Sequence, residues 1–230
     1  MDRLFNMDNG LFRALSRLAD LIILNLIFLL CCIPVFTIGA AWTALYYMTL
    51  KMVRNEETYI LRGFFKSFKQ NFKQATLIWL VLLVFMSILF VDFRIMNAME
   101  GSLMTALRMG LLMIATLTAI LLQYLFPVLS RFYNTSLNTV RNAALMSIRH
   151  LPQTLVMLVV SVAAVFVTLL NGYTLTYGLL IWLMCGCSLI ALFNSWFLVR
   201  IFDKYVPEET EESAPKETTF DGSAFKNLGH

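Results

Sequence analysis

"LLCCIPVFTIGAAWTALYY", residues 29–47, is the stretch whose reading decides the fold. It lies in a run without charge from Asp20 to Lys51, interrupted only by Pro34 and Gly39. Residues 21–50 as one helix would be about 45 Å long at 1.5 Å per residue. That is too long for one straight crossing of a hydrocarbon core about 30 Å thick, and slightly short for two. The run is therefore either one kinked span or two helices joined at Pro34–Gly39.

The rest of the chain supplies the setting. Of 230 residues, 59% are hydrophobic and 14% charged, against roughly 45–50% and 25% in soluble domains. The apolar residues come in blocks: 21–50, 75–91 and 109–130 carry no charge, and no Asp, Glu, Lys or Arg lies between Arg149 and Arg200. This is the pattern of an all-α, polytopic helical membrane protein. Residues 1–20 hold three arginines but also Asp2, Asp8 and Asp20, without a small-residue cleavage site, so the first apolar segment is expected to be a retained span.

Spans are expected near 18–33, 38–53, 75–91, 104–126, 152–170 and 177–199, within a membrane domain covering residues 1–205. Residues 57–74, "ETYILRGFFKSFKQNFKQ", have the sharpest periodicity. At 100° per residue, Leu61, Phe64, Phe65, Phe68 and Phe72 share one arc, and Arg62, Lys66, Lys69 and Lys73 share its neighbour. Such a helix lies in the membrane interface or packs on the protein's own spans, on the cytoplasmic side in either case. Residues 131–150 form a second basic segment with a weaker apolar face. From Val206 onward, six acidic residues face two lysines with little apolar content, so 206–230 is expected to be a disordered acidic cytoplasmic tail. "KSFKQNFKQATL" and "MSIRHLPQTL" echo one another faintly, each placing Ser-x-basic before a span that opens with Thr-Leu.

Basic residues choose between the two readings of the opening stretch. With an external turn at Pro34–Gly39 there are six spans and both termini are cytoplasmic. Sixteen of the 18 lysines and arginines then lie inside, and only Arg94 and Arg108 outside. A single crossing gives five spans, and its best split is 13 to 5. The hairpin is favoured. Whether its bend reaches the outer surface or re-enters the bilayer stays open; in either case Thr37 and Thr43 are placed to take up freed carbonyls.

Chemistry-bearing groups are scarce. Cys31, Cys32, Cys185 and Cys187 sit in apolar runs away from both histidines and read as small packing residues. Asn25, Gln123 and Asn194 are the deeper polar groups, either interhelical hydrogen-bond partners or the lining of a polar pathway. No zinc-hydrolase, nucleophile-elbow or phosphate-loop motif is present. The expectation is no enzyme, no cofactor, no metal and no nucleic-acid partner, the lipid bilayer being the first partner.

"Leu-Asn-Leu…Cys-Ile-Pro-Val-Phe-Thr-Ile-Gly-Ala-Ala…Ala-Leu-Tyr-Tyr" and "Arg-Gly-Phe-Phe-Lys-Ser-Phe-Lys-Gln-Asn-Phe-Lys-Gln-Ala-Thr" resemble the YesL family. These are small integral membrane proteins of Gram-positive bacteria, of unknown function. The likeness covers most of 5–205; its most specific parts are Pro34, Thr37 and Gly39 and the Phe-rich basic helix. The family is commonly encoded beside ABC-type carbohydrate importers and sensor kinases. The resemblance thus implies a plasma-membrane accessory or regulatory protein near carbohydrate uptake, with importer subunits or a kinase as partners. The alternatives are a stand-alone small-molecule permease or channel, and a purely structural or lipid-organising protein.

Overall fold

The computed structural model describes residues 10–56, 59–132 and 135–205. The N-terminal arginine and aspartates of residues 1–9 and the expected acidic tail lie outside the described residues, as do positions 57–58. Among the described residues there are seven helices and no strand. They are α1 (Gly10–Cys32), α2 (Ile38–Val53), α3 (Ile60–Asn97), α4 (Ser102–Arg131), α5 (Ser136–Arg149), α6 (Leu151–Leu169) and α7 (Gly172–Phe202). A 3-10 turn, Val35–Thr37, joins α1 to α2, and Trp182–Gly186 of α7 is π-helical.

The opening stretch is a hairpin. Pro34 has extended backbone (φ −77°, ψ 117°) and ends α1, because a proline has no amide to continue the ladder and disfavours helix in the residue before it. Near the opposite end of the hairpin, the Arg17 guanidinium donates to the Asn55 side chain. The Thr37 hydroxyl lies 2.6 Å from both the Cys31 and Pro34 carbonyls, and Thr43 Oγ1 donates to the Gly39 carbonyl at 2.9 Å. The Thr37 hydroxyl thus occupies acceptors at the end of α1, where helix carbonyls lack intrahelical partners, while Thr43 bonds back onto its own helix.

Gly39, Ala40, Ala41 and Ala44 make the start of α2 narrow, so neighbouring backbones can approach closely. A Cβ on Gly39 would stand 2.6 Å from Trp79 Cβ and 2.7 Å from the Ala75 carbonyl oxygen of α3. Trp79 Nε1 donates to the Val35 carbonyl at 2.8 Å, fastening the bend to α3. Helices α1, α3, α4 and α7 all pack on α2, and ten of its 16 residues are buried. α2 is the central post.

The bend does not reach the far end of the bundle. From Trp79, level with Val35, α3 runs on to Asn97, about 27 Å further. α2 itself is 16 residues, about 24 Å. Counting charges ranked a hairpin above a single span, but it carries no information on depth. Side-chain packing sets that depth here, fastening the turn partway along α3. Accordingly, five helices are long and apolar enough to cross a membrane, and the sixth expected span is the shorter α2.

Other boundaries also shift. The basic segment from Ile60 to Gln74 and the stretch expected as span 75–91 form the single helix α3, since no Pro or Gly lies between Phe64 and Asn97 to break it. By contrast α5 and α6 part at His150, with Pro152 in the first turn of α6. α4 continues through Pro127, where Ser130 Oγ donates to the proline carbonyl at 2.7 Å.

Burial divides the molecule in two. Nothing is buried in α3 after Ile78, in α4 before Thr118, in α6 after Met157 or in α7 before Gly186. The core, with Leu24, Leu45, Met48, Phe64, Phe126 and Phe202 at its centre, lies wholly in the other half. The open half exposes side chains such as Val81, Phe90, Leu103, Val159 and Phe166. So much contiguous apolar surface is incompatible with water and suits lipid.

Candidate functional site

The deep polar residues do different jobs. Asn25 is fully buried. Its Nδ2 donates to the Trp182 and Leu183 carbonyls at 2.9 and 2.8 Å, and its Oδ1 accepts from the Ser188 amide at 3.1 Å. A π-helical turn displaces backbone groups from the α ladder, and Asn25 takes up three of them. Ser188 Oγ completes the clasp, lying 2.9 Å from the Leu21 and Cys185 carbonyls. Asn25 is thus an interhelical stitch between α1 and α7.

Asn194 Nδ2 donates to the Tyr46 hydroxyl at 3.3 Å, and Thr49 and Ser195 are bonded at 2.8 Å, which ties α2 to α7. The Asn194 Oδ1 and Gln123 Oε1 atoms are buried without a hydrogen-bond partner among the described residues. No hydrogen bond joins Asn25, Gln123 and Asn194 to one another. α4 meets α6 where the Tyr124 and Thr154 hydroxyls bond at 2.8 Å. Sequence reading passed over Ser188, Trp79, Tyr124 and Thr154. The small-residue string "CGCS", residues 185–188, was the available signal for a close helix contact at the π turn.

The basic end is built from the first half of α3, α5 and the ends of α2, α4 and α7. The aromatic arc of α3 is divided. Phe64 is fully buried, its ring 6.2 Å from that of Phe68, which in turn is 5.4 Å from Phe72. Phe68 and Phe72 are half-buried against the core, whereas Leu61 and Phe65 face outward, 55% and 46% exposed. The arc is thus split, one edge packed on the protein's own helices and the other facing outward. Lys66, Lys69 and Lys73 are exposed.

Several cations of this end are engaged. Lys51 pairs with Glu56 at 3.4 Å, Arg54 pairs with Asp203, and the Arg200 guanidinium stands 3.7 Å above the Trp196 ring. His150 Nε2 lies 3.2 Å from the Tyr205 hydroxyl. Burial, then Lys204 and Arg149, lower its pKa below the ordinary histidine value. The open half carries Arg94 and Arg108, the latter donating to the Met99 carbonyl at 2.9 Å. A cavity of about 90 Å³ opens at the basic end between α2, α3 and the end of α4, with Lys66 and Arg131 in its lining.

Residues 21–93 match the family model described as "Protein of unknown function, DUF624". This is the YesL family, so the resemblance read from the residues is borne out over that stretch. The match takes in most of α1, the bend with Pro34, Thr37 and Gly39, all of α2, and α3 to Phe93. No curated protein and no solved structure matches the chain.

Proposed function

We propose that the protein is an accessory or regulatory membrane protein whose basic face docks a cytoplasmic partner, and that it catalyses no reaction itself. The observation that carries this reading is α3. One unbroken 38-residue helix bears the exposed lysines at one end and a lipid-facing apolar span at the other. Its middle is locked to the bend through Trp79 and Gly39. A partner bound at Lys69 and Lys73 would hold a rigid rod about 57 Å long, so docking and membrane position are mechanically linked.

In this reading the basic end faces the cytoplasm of a bacterial plasma membrane, in keeping with the distribution of lysine and arginine. The partner class follows from the family resemblance: carbohydrate ABC-importer subunits or a sensor kinase. Affinity purification of the full chain from its native membrane tests it. Importer or kinase subunits are expected to co-purify, and to be lost on Lys69→Glu with Lys73→Glu. Recovery of the protein alone in several detergents would overturn the reading.

A second reading, a stand-alone permease, is favoured by one observation: the buried Gln123 and Asn194 oxygens have no hydrogen-bond partner among the described residues, as acceptors waiting for a polar solute would. Solute flux in proteoliposomes containing this protein alone, abolished by Gln123→Leu with Asn194→Leu, would support it.

A further inference from the structure

The cavity between α2, α3 and α4 is lined by six polar side chains besides Leu129 and Phe132. Lys66 and Arg131 are cations; Gln70, Asn71, Ser130 and Tyr47 are neutral hydrogen-bonding side chains; no carboxylate lines it. Two of the neutral groups are already engaged, Asn71 donating to Ser67 and Ser130 to the Pro127 carbonyl. The remaining four make no hydrogen bond or ion pair with any described residue. Among the described residues, Glu56 pairs with Lys51 and Asp203 with Arg54. Asp92 and Glu100 belong to the far end of the bundle.

Two like charges thus share one small recess, with no carboxylate of the described residues in its lining. The end of α4 contributes a partial negative charge of about half a unit from its free carbonyls, which offsets only a quarter of the two cations. The recess therefore attracts an anion. Arg131 offers a planar fork and Lys66 a point charge, the pair of donors best matched to phosphate oxygens. A volume of about 90 Å³ has room for a tetrahedral oxyanion.

We propose that this cavity is a phosphate site in which Lys66 and Arg131 grip a phosphate group and Gln70 and Tyr47 supply neutral hydrogen bonds. The phosphate belongs either to an anionic phospholipid headgroup or to a soluble phosphate ester. The site is distinct from the Lys69–Lys73 docking face, and either can fail without the other.

The test uses the full chain, purified free of phospholipid. Native mass spectrometry with phosphatidylglycerol, and separately phosphatidylcholine, reads the lipid source; calorimetric titration with inorganic phosphate reads the soluble one. One anionic ligand per chain is expected to bind at least tenfold more weakly to Lys66→Gln with Arg131→Gln. Lys69→Gln with Lys73→Gln, of equal charge but outside the cavity, is expected to bind within about twofold of the parent. Selective retention of phosphatidylglycerol identifies a headgroup site, and saturable phosphate binding identifies a soluble ligand. The proposal is overturned if neither ligand binds better than phosphatidylcholine. It is equally overturned if the cavity variant binds as the parent does, or if both double variants weaken alike. Both cavity cations are exposed, so the variants are expected to fold; Lys66→Gln alone, with an intermediate loss, guards against misfolding of the double variant.

Discussion

Gly39 and Gly110 are both helical glycines in apolar company, and their surroundings are opposite. Gly39 touches the α3 backbone so closely that a single added carbon collides with it; around Gly110 there is nothing within 4 Å. The contrast runs through the whole molecule. In the packed half, each side chain is chosen by a particular neighbour: Trp79 by the Val35 carbonyl, Asn25 by the π turn, Thr49 by Ser195. In the open half, hydroxyls such as Thr116 and Ser87 bond only to their own helix. There the bilayer is the environment, and it asks of a side chain little beyond being apolar.

The sharpest way to break this division is one methyl group placed in each half. Gly39→Ala is expected to destabilise by about 3 kcal/mol, because backbone atoms of α3 rather than a flexible side chain must move. Gly110→Ala is expected to stabilise by about 0.5–1 kcal/mol through helix propensity alone. Thermal unfolding of the purified protein, followed by aggregation or intrinsic tryptophan fluorescence, reads both. Equal responses would mean that the α2–α3 contact is not what holds the packed half together.

Asn25→Leu comes next. It leaves the Trp182 and Leu183 carbonyls and the Ser188 amide without their partner, for an expected loss of about 2 kcal/mol. Thr116→Val, whose hydroxyl serves only the Leu112 carbonyl one turn away, is expected to change stability by less than about 0.5 kcal/mol. If Asn25 acted as a pathway residue and not as a stitch, its leucine variant would unfold at the parent's temperature.

Tyr124→Phe probes the border of the halves. Its hydroxyl meets Thr154 of α6, where one neutral hydrogen bond contributes about 1 kcal/mol. A loss well below that would mean that α4 and α6 are held together by apolar contact alone.

This division also explains what could be read from the residues. Charge-free blocks mark where helices lie, because length and hydropathy are properties of the chain itself; α2 occupies 38–53, and α6 begins and ends within one residue of 152–170. The continuity of α3 was hidden: a change of composition at Gln74–Ala75 looks like a boundary, yet a helix ends at a breaking residue and not at a change of solvent. The depth of the bend was hidden for another reason. It depends on which α3 side chain meets Val35, a pairing 44 residues apart that no local pattern encodes. The same holds for Arg131, which reads as the cap of a span until folding brings it to the cavity that Lys66 lines.

The smallest expected effect belongs to His150, at the joint between α5 and α6 in the packed half. Its folded pKa lies below the unfolded value, through burial first and then the positive charges of Lys204 and Arg149. The unfolded chain therefore binds the proton more readily, so stability is fully present above the unfolded pKa, about 6.5. It falls as pH drops below that value and levels off once the folded-state pKa is passed. Unfolding temperatures between pH 7.5 and 5 should show this slope, and His150→Gln should flatten it. Lys204→Gln should make the fall smaller and level it off at a higher pH, because removing one repelling cation brings the folded-state pKa closer to the ordinary histidine value. A slope unchanged by either substitution would place the pH response elsewhere.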